Sequence, residues 1–241
     1  HITTHAEGLA VATAAITAAG GEVTGVADGD TLIQAWVPFN ALVTVAAQED
    51  VYFIHRPTEL IPFDPPIKAM ARSIHLAGSM TTEGLAVMNG PAWHNQGYTG
   101  AGVKIGIIDS GFEGYTSMLG NDLPASVTVK NFVDGELDTQ VDGTTKHGTA
   151  CAEILHDIAP GAALYLAKTA TNVDFAEAVA WLKDTHHVNI ISTSVGWYNL
   201  TPGDGTGDFA NLASQARAAG ILFVAAAGNG RVAHWGGPYY D

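Results

Sequence analysis

Val103-Lys-Ile-Gly-Ile-Ile-Asp-Ser-Gly111 is a run of almost unbroken apolar character, closed by a carboxylate and a Ser-Gly turn. Such a run has no polar face to give to water. It therefore reads as a strand covered on both sides, as in a parallel sheet. Working outward, three further strand candidates follow at residues 163–167, 188–192 and 221–226. Helical patterning occupies the intervals, over about 148–157, 173–185 and 208–219. Alternating strands and helices predict an α/β fold, a parallel sheet with helices on both faces. In that architecture chemistry gathers at the carboxyl ends of the strands.

Upstream the rhythm differs. An Ala-rich helical stretch over about 5–19 stops at Gly20-Gly21, a helix end. Strand-like runs at 22–26 and 31–37 flank Ala-Asp-Gly-Asp, a turn signal, and a short helix near 40–48 leads to a strand at 51–55. One preceding strand would complete this order into a split βαβ sandwich. Asp64-Pro65-Pro66 then breaks the chain, and a loosely helical connector runs on. The reading divides the chain into a small α+β unit (1–63), a connector (64–96) and the α/β part (97–241).

Composition narrows the partners. The 241 residues are 47% hydrophobic, enough for a buried core. Net charge is −14 with only 10 Lys+Arg, which argues against nucleic acid and against an anionic membrane surface. No apolar run reaches the roughly 20 residues that span a bilayer. Residues 9–20 imitate the core of a signal peptide, yet Glu7 stands where basic residues belong, so the stretch reads as a helix. A secretion signal, if the natural protein has one, lies upstream of His1. The single cysteine, Cys151, cannot close an internal disulfide, so it does not decide the compartment.

Three strings carry chemistry: Asp109-Ser110-Gly111, His147-Gly148-Thr149 and Ala227-Gly228-Asn229-Gly230. Asp109, at a strand end, can fix the tautomer of a neighbouring imidazole; it can equally cap the next segment. His147 opens a helical run and could serve as general base, or be a surface histidine. Asn229 lies between glycines after a strand, where its amide can donate to an oxyanion or simply suit a left-handed turn. Gly100-Ala-Gly102 hints at nucleotide binding, but it precedes its strand, whereas a phosphate loop follows one.

Taken with Ser194-Val195-Gly196, these strings resemble the subtilisin-like serine peptidases (subtilases) over residues 97–241. Gly97-Tyr-Thr-Gly-Ala-Gly-Val-Lys-Ile-Gly-Ile-Ile-Asp109 is similar to the family's entry strand. Asp157-Ile-Ala-Pro-Gly-Ala-Ala163 resembles its passage from helix to strand. The resemblance implies a subtilisin-like sheet, incomplete C-terminally, and a polypeptide substrate. Asp109 would orient His147, His147 would deprotonate a serine, and Asn229 would stabilise the oxyanion. Ser194, Val195 and Gly196 would pair with substrate backbone by strand addition. Cys151, four residues after His147, stands at a spacing found in proteinase K-like subtilases and reads as a small apolar residue beneath the site. Residues 1–63 resemble a subtilase prosegment lacking its first strand; such prosegments assist folding and cover the cleft as inhibitors. A secreted or cell-surface location follows from the same resemblance. No cofactor is implied. Subtilases often bind calcium, but the acidic loops at 134–142 and 204–208 lack the ligand spacing of a defined calcium loop, so no metal site is assigned.

The pattern fails at the nucleophile. The family's serine lies in Gly-Thr-Ser at the start of a helix, and this chain contains no Gly-Thr-Ser. The nearest echoes, Gly78-Ser79-Met80 and Thr116-Ser117-Met118, precede His147 and do not open a suitable helix. Two explanations stand: a piece of a longer protease, or a catalytically dead scaffold that binds extended peptides. The ending Trp235-Gly-Gly-Pro-Tyr-Tyr-Asp241 reads as the middle of a loop, which favours the first. Either way, the 241-residue chain alone is expected to be inactive.

Overall fold

The structure, a computed structural model, describes residues 1–27, 29, 31–62, 81–197, 200–201 and 204–228. The N-terminal unit runs β1 (Ile2–Thr4), α1 (Leu9–Ala18), β2 (Glu22–Ala27), β3 (Leu32–Trp36), α2 (Leu42–Ala46) and β4 (Val51–Ile54). Its strands form an antiparallel sheet in the order β2-β3-β1-β4. Ala12 and Ile16 of α1 and Val45 of α2 bury against Ile2 and Ile33 of the sheet. The strand expected to be missing is therefore present, as β1 at the interior of the sheet. Ile-Thr-Thr is too short to display a period, and only its pairing with β3 and β4 reveals it.

Past β4 come β5 (Ile61–Pro62) and two short helices, α3 (Glu83–Val87) and α4 (Gly90–Asn95). Residues 63–80 of the connector lie outside the described residues. The α/β part continues β6 (Lys104–Asp109), β7 (Thr128–Asn131), α5 (His147–Ile158), β8 (Ala163–Lys168) and α6 (Asn172–Ala180). A π turn, Trp181–Thr185, extends α6; β9 (Ile190–Thr193), β10 (Val195–Gly196), α7 (Asp208–Ala218) and β11 (Leu222–Ala225) follow.

Five strands make one sheet in the order β11-β9-β6-β8-β7, every neighbour parallel. The apolar run on β6 is continuous because both its faces are covered. Ile105 and Ile107 pack with Leu164, Leu166 and Ala152 of α5. Ile108 points the other way, into Phe175, Val179, Leu182 and Ala216 from the α6 and α7 side. Each such buried side chain contributes about 1.5–3 kcal/mol relative to exposure. The strand β7 was not anticipated: Thr-Val-Lys-Asn is half polar and lies at a sheet edge, where the buried-strand signature is absent. At the opposite edge β11 leaves Leu222 59% and Val224 44% exposed. No described helix is long and apolar enough to cross a membrane.

The N-terminal sheet rests on α6. Gly25 lets β2 approach, since a Cβ there would meet Val173 Cγ1 at 2.8 Å and Glu177 Oε1 at 2.9 Å. Gln34 of β3 donates through Nε2 to Asp174 Oδ1 (3.0 Å), accepts from Thr171 Oγ1 (2.8 Å), and meets His1 Nε2 (2.8 Å). Asp174 also accepts from the Ala170 and Thr171 amides through Oδ2, at 2.9 and 3.0 Å, while Thr171 caps α6. The buried carboxylate is thus fully engaged by donors, as burial of a charge requires.

Candidate active site

Asp109 ends β6 and is fully buried. Its Oδ1 accepts from the Ser110 backbone N–H at 2.8 Å and from Ser110 Oγ at 3.3 Å. Its Oδ2 meets His147 Nδ1 at 2.8 Å. His147 begins α5, and two glycines let that helix start sit directly on the Asp109 turn. A Cβ at Gly148 would meet Gly111 O at 2.5 Å and Asp109 Cβ at 2.8 Å, and one at Gly111 would collide with Gly143 O. The glycines of Asp-Ser-Gly and His-Gly-Thr therefore serve the approach of the acid to the base. Thr149 Oγ1 fixes the helix by donating to Glu113 O at 3.1 Å. An imidazole held through Nδ1 by a buried carboxylate presents Nε2 for proton transfer.

A residue that the sequence reading missed stands beside the pair. Lys168, in register with Asp109 across β6 and β8, is buried. Its ammonium is taken up by Glu136 Oε2 at 2.5 Å and by Gln140 O at 3.0 Å. Burial pushes the Glu136 carboxyl up, but hydrogen bonds from Asn131 and Lys168 and the Lys168 charge outweigh it, and its pKa lies below the ordinary value. Lys168 thus carries its own counter-ion on Glu136.

Ser194, Val195 and Gly196 continue from β9 at the same carboxyl edge. The pairing of Ile108 with Thr193 sets Ser194 level with Asp109. Here the structure shows a contact with no signal in the sequence. The chain's own β5 pairs antiparallel with β10, Ile61 opposite Gly196 and Pro62 opposite Val195. On its other side the same segment bridges Glu59 to Thr171, and Leu60 N–H donates to Ala170 O at 2.9 Å. Trp197 Nε1 donates to Thr58 O at 3.1 Å. Residues 58–62 are thus an extended peptide held between two walls, and from Ile61 to Pro62 it runs toward the edge where Asp109 stands. Leu60, 9% exposed, is buried with Phe175 and Val195.

Asn229 and Ser79 lie outside the described residues; the chain is described up to Gly228, with Ala226 N–H bonded to Thr193 O at 3.0 Å. Ser117 sits on a short turn, Tyr115–Met118, and its hydroxyl donates to Gly114 O at 2.7 Å. Cys151 is half-buried, and its sulfur lies within 4.8 Å of ligand atoms of Asp109 and His147. In the acidic loops, protein donors engage several carboxylates. Asp142 accepts from the Gly114 amide and Thr116 Oγ1, Asp138 from the Asn131 amide, and Asp204 from Thr206.

Comparison with known proteins places the chain in a family. Residues 100–239 match the subtilase family. Subtilisin of Bacillus pumilus is 31% identical over 157 residues, covering 61% of this chain and 54% of that protein. Subtilisin E of Bacillus subtilis is 31% identical over 157 residues, 39% of its length. Furin-like protease 2 of Drosophila melanogaster is 31% identical over 170 residues, 10% of its length. The chain spans about half or less of the relatives it matches. It belongs to the subtilase family.

Proposed function

We propose that this chain carries the acid, base and oxyanion donor of a serine endopeptidase whose nucleophile lies outside these 241 residues. The observation that carries this reading is the buried Asp109 carboxylate bonded to His147 Nδ1 at 2.8 Å, at the carboxyl edge of a parallel sheet. In the mechanism, Asp109 holds the imidazole in one tautomer and stabilises it when it is charged. His147 Nε2 takes the proton of an attacking serine hydroxyl and returns it to the leaving amine. The Asn229 amide donates to the oxyanion as the carbonyl becomes tetrahedral. Val195-Gly196 and Ala170-Thr171 hold the substrate main chain in extended form between them.

The N-terminal unit fits the same reading as a prosegment. Residues 59–62 lie where an extended substrate would lie, and the seam on α6 keeps them there. The protein would then be latent while the unit is docked, and we place the working enzyme outside the cell. The exposed edge at β11 supports a longer natural chain, because parallel strands are normally covered on both faces.

The test is to express the natural coding sequence beyond Asp241 together with this chain. A downstream Gly-Thr-Ser opening a helix, with peptide hydrolysis sensitive to serine reagents, is the expected result. Absence of that serine, with extended peptides still bound, would establish the dead-scaffold reading instead. In the extended enzyme His147→Ala should lower turnover by about 10⁴–10⁶, the order of loss known for subtilisin. The 241-residue chain by itself should hydrolyse no peptide.

A further inference from the structure

Lys168 is a buried cation at the edge of the sheet where the acid and base meet. The strand registers set Asp109 of β6, Lys168 of β8 and Asn131 of β7 side by side there. Asp109 is bonded to His147, whereas Lys168 and Asn131 are both bonded to the segment that follows β7. The Lys168 ammonium, its side chain 4% exposed, donates to Glu136 Oε2 at 2.5 Å and to Gln140 O at 3.0 Å. Asn131 Nδ2 donates to Glu136 Oε2 at 2.9 Å and to Leu137 O at 3.0 Å. The residues that come next reach both members of the pair. Val141 O accepts from the Phe112 N–H at 3.0 Å and Thr145 O from the Glu113 N–H at 2.8 Å, which braces the turn after Asp109. Thr145 Oγ1 accepts from the His147 N–H at 3.2 Å, at the start of α5.

A buried cation is a costly way to hold a loop. An ion pair taken out of water seldom adds stability over apolar side chains of the same size. What it supplies is placement, because an ammonium shared by Glu136 and Gln140 O fixes where their segment lies against β8. Proton transfer is sensitive to such placement, since a shift of about 1 Å far from the chemistry can cost about a hundredfold in rate. We propose that Lys168 is a positioning residue for the Asp109–His147 pair. It ties residues 136–140 to β8, and residues 141–145 pass that placement to the turn after Asp109 and to the first residue of α5. Its consequence for turnover rests on the proposed peptidase reading; its consequence for the geometry of the pair does not.

The experiment follows, by proton NMR of the intact 241-residue chain, the exchange with water of the His147 Nδ1 proton held by Asp109. Its resonance is assigned by its loss in His147→Ala. Lys168→Met should speed that exchange at least about tenfold. The charge-balanced Lys168→Met/Glu136→Gln should do the same, because it too lacks the bond to Gln140 O, and it decides the matter should the single variant not fold. Ile33→Ala, which lowers stability from the core of the N-terminal sheet, should leave the exchange as it is in the parent. Parent-like exchange in the Lys168 variants, or equally fast exchange in Ile33→Ala, overturns the proposal. In the protein extended past Asp241, Lys168→Met should lower kcat at least about tenfold and keep KM within about twofold. Faster exchange with kcat unchanged would overturn the role of the pair in hydrolysis and leave the positioning by Lys168 standing.

Discussion

The N-terminal unit touches the α/β part in two ways that differ in kind. Along α6 the contact is made largely by side chains: Gln34, Asp174 and Thr171 form a closed set of hydrogen bonds, Glu177 receives Val26, and Gly25 sits on Val173. Along residues 59–62 it is made by main chain, between Ala170-Thr171 and Val195-Gly196, with Leu60 as the buried side-chain anchor. A side-chain network is tied to one sequence. A main-chain ladder accepts any peptide that can extend, and side chains only tune it. The seam is therefore specific to the unit, while the ladder is the part that, under the proposed function, a substrate peptide would take over.

The largest effect on this comparison should come from Asp174→Ala. It strips a buried acceptor from Gln34 Nε2 and from the Ala170 and Thr171 amides, at a cost of about 3–4 kcal/mol. Urea unfolding of the intact chain reads it; a loss below about 1 kcal/mol would show that the seam contributes little. Leu60→Ala comes next, weakening the seating of the segment by about 2–3 kcal/mol. Faster amide exchange at Leu60, with Gln34 and Asp174 undisturbed, is the expected signature. Exchange accelerated equally across both contacts would merge the two into one unit. Gly25→Ala should cost about 1–2 kcal/mol, because its Cβ meets Val173 and Glu177. A neutral result would mean that β2 has room to move.

The smallest effect concerns pH. Glu177 is raised above its ordinary 4.5, chiefly by burial, so the folded chain holds this proton more tightly than the unfolded chain. Its contribution is fully present below the unfolded value and is lost as pH rises through the folded one. Glu177→Gln should therefore flatten the decline in stability above pH 4.5, as measured by unfolding at a series of pH values. An unchanged slope would show that the carboxylate is as well solvated in the seam as in the unfolded chain.

The parallel sheet was legible because β6 is apolar on both faces and each helix after it repeats at helical spacing. The approach of Asp109 to His147 was legible because glycine follows both motifs, and glycine is what close backbone approach demands. The strands β1 and β7 were not legible; one is three residues long, the other half polar at an edge. Least legible was the pairing of β5 with β10. Two-residue strands far apart in the chain carry no period, and hydrogen bonds between backbones leave no trace in residue type. Gln34, Asp174 and Lys168 escaped for a related reason: a lone buried polar residue looks like a surface one until its partners are known. Asn229 remains legible from its motif alone, lying outside the described residues.

The central claim is that residues 59–62 occupy the strand position of a peptidase substrate. The most direct test is the rate at which the protein extended past Asp241 hydrolyses an added extended peptide, compared with its Leu60→Asp variant after both show matching melting curves. A carboxylate cannot rest in the Leu60 pocket without a partner, so the segment should leave its seat. The account predicts slow hydrolysis in the parent and at least about tenfold faster hydrolysis in the variant. Equal rates in the two proteins would contradict it.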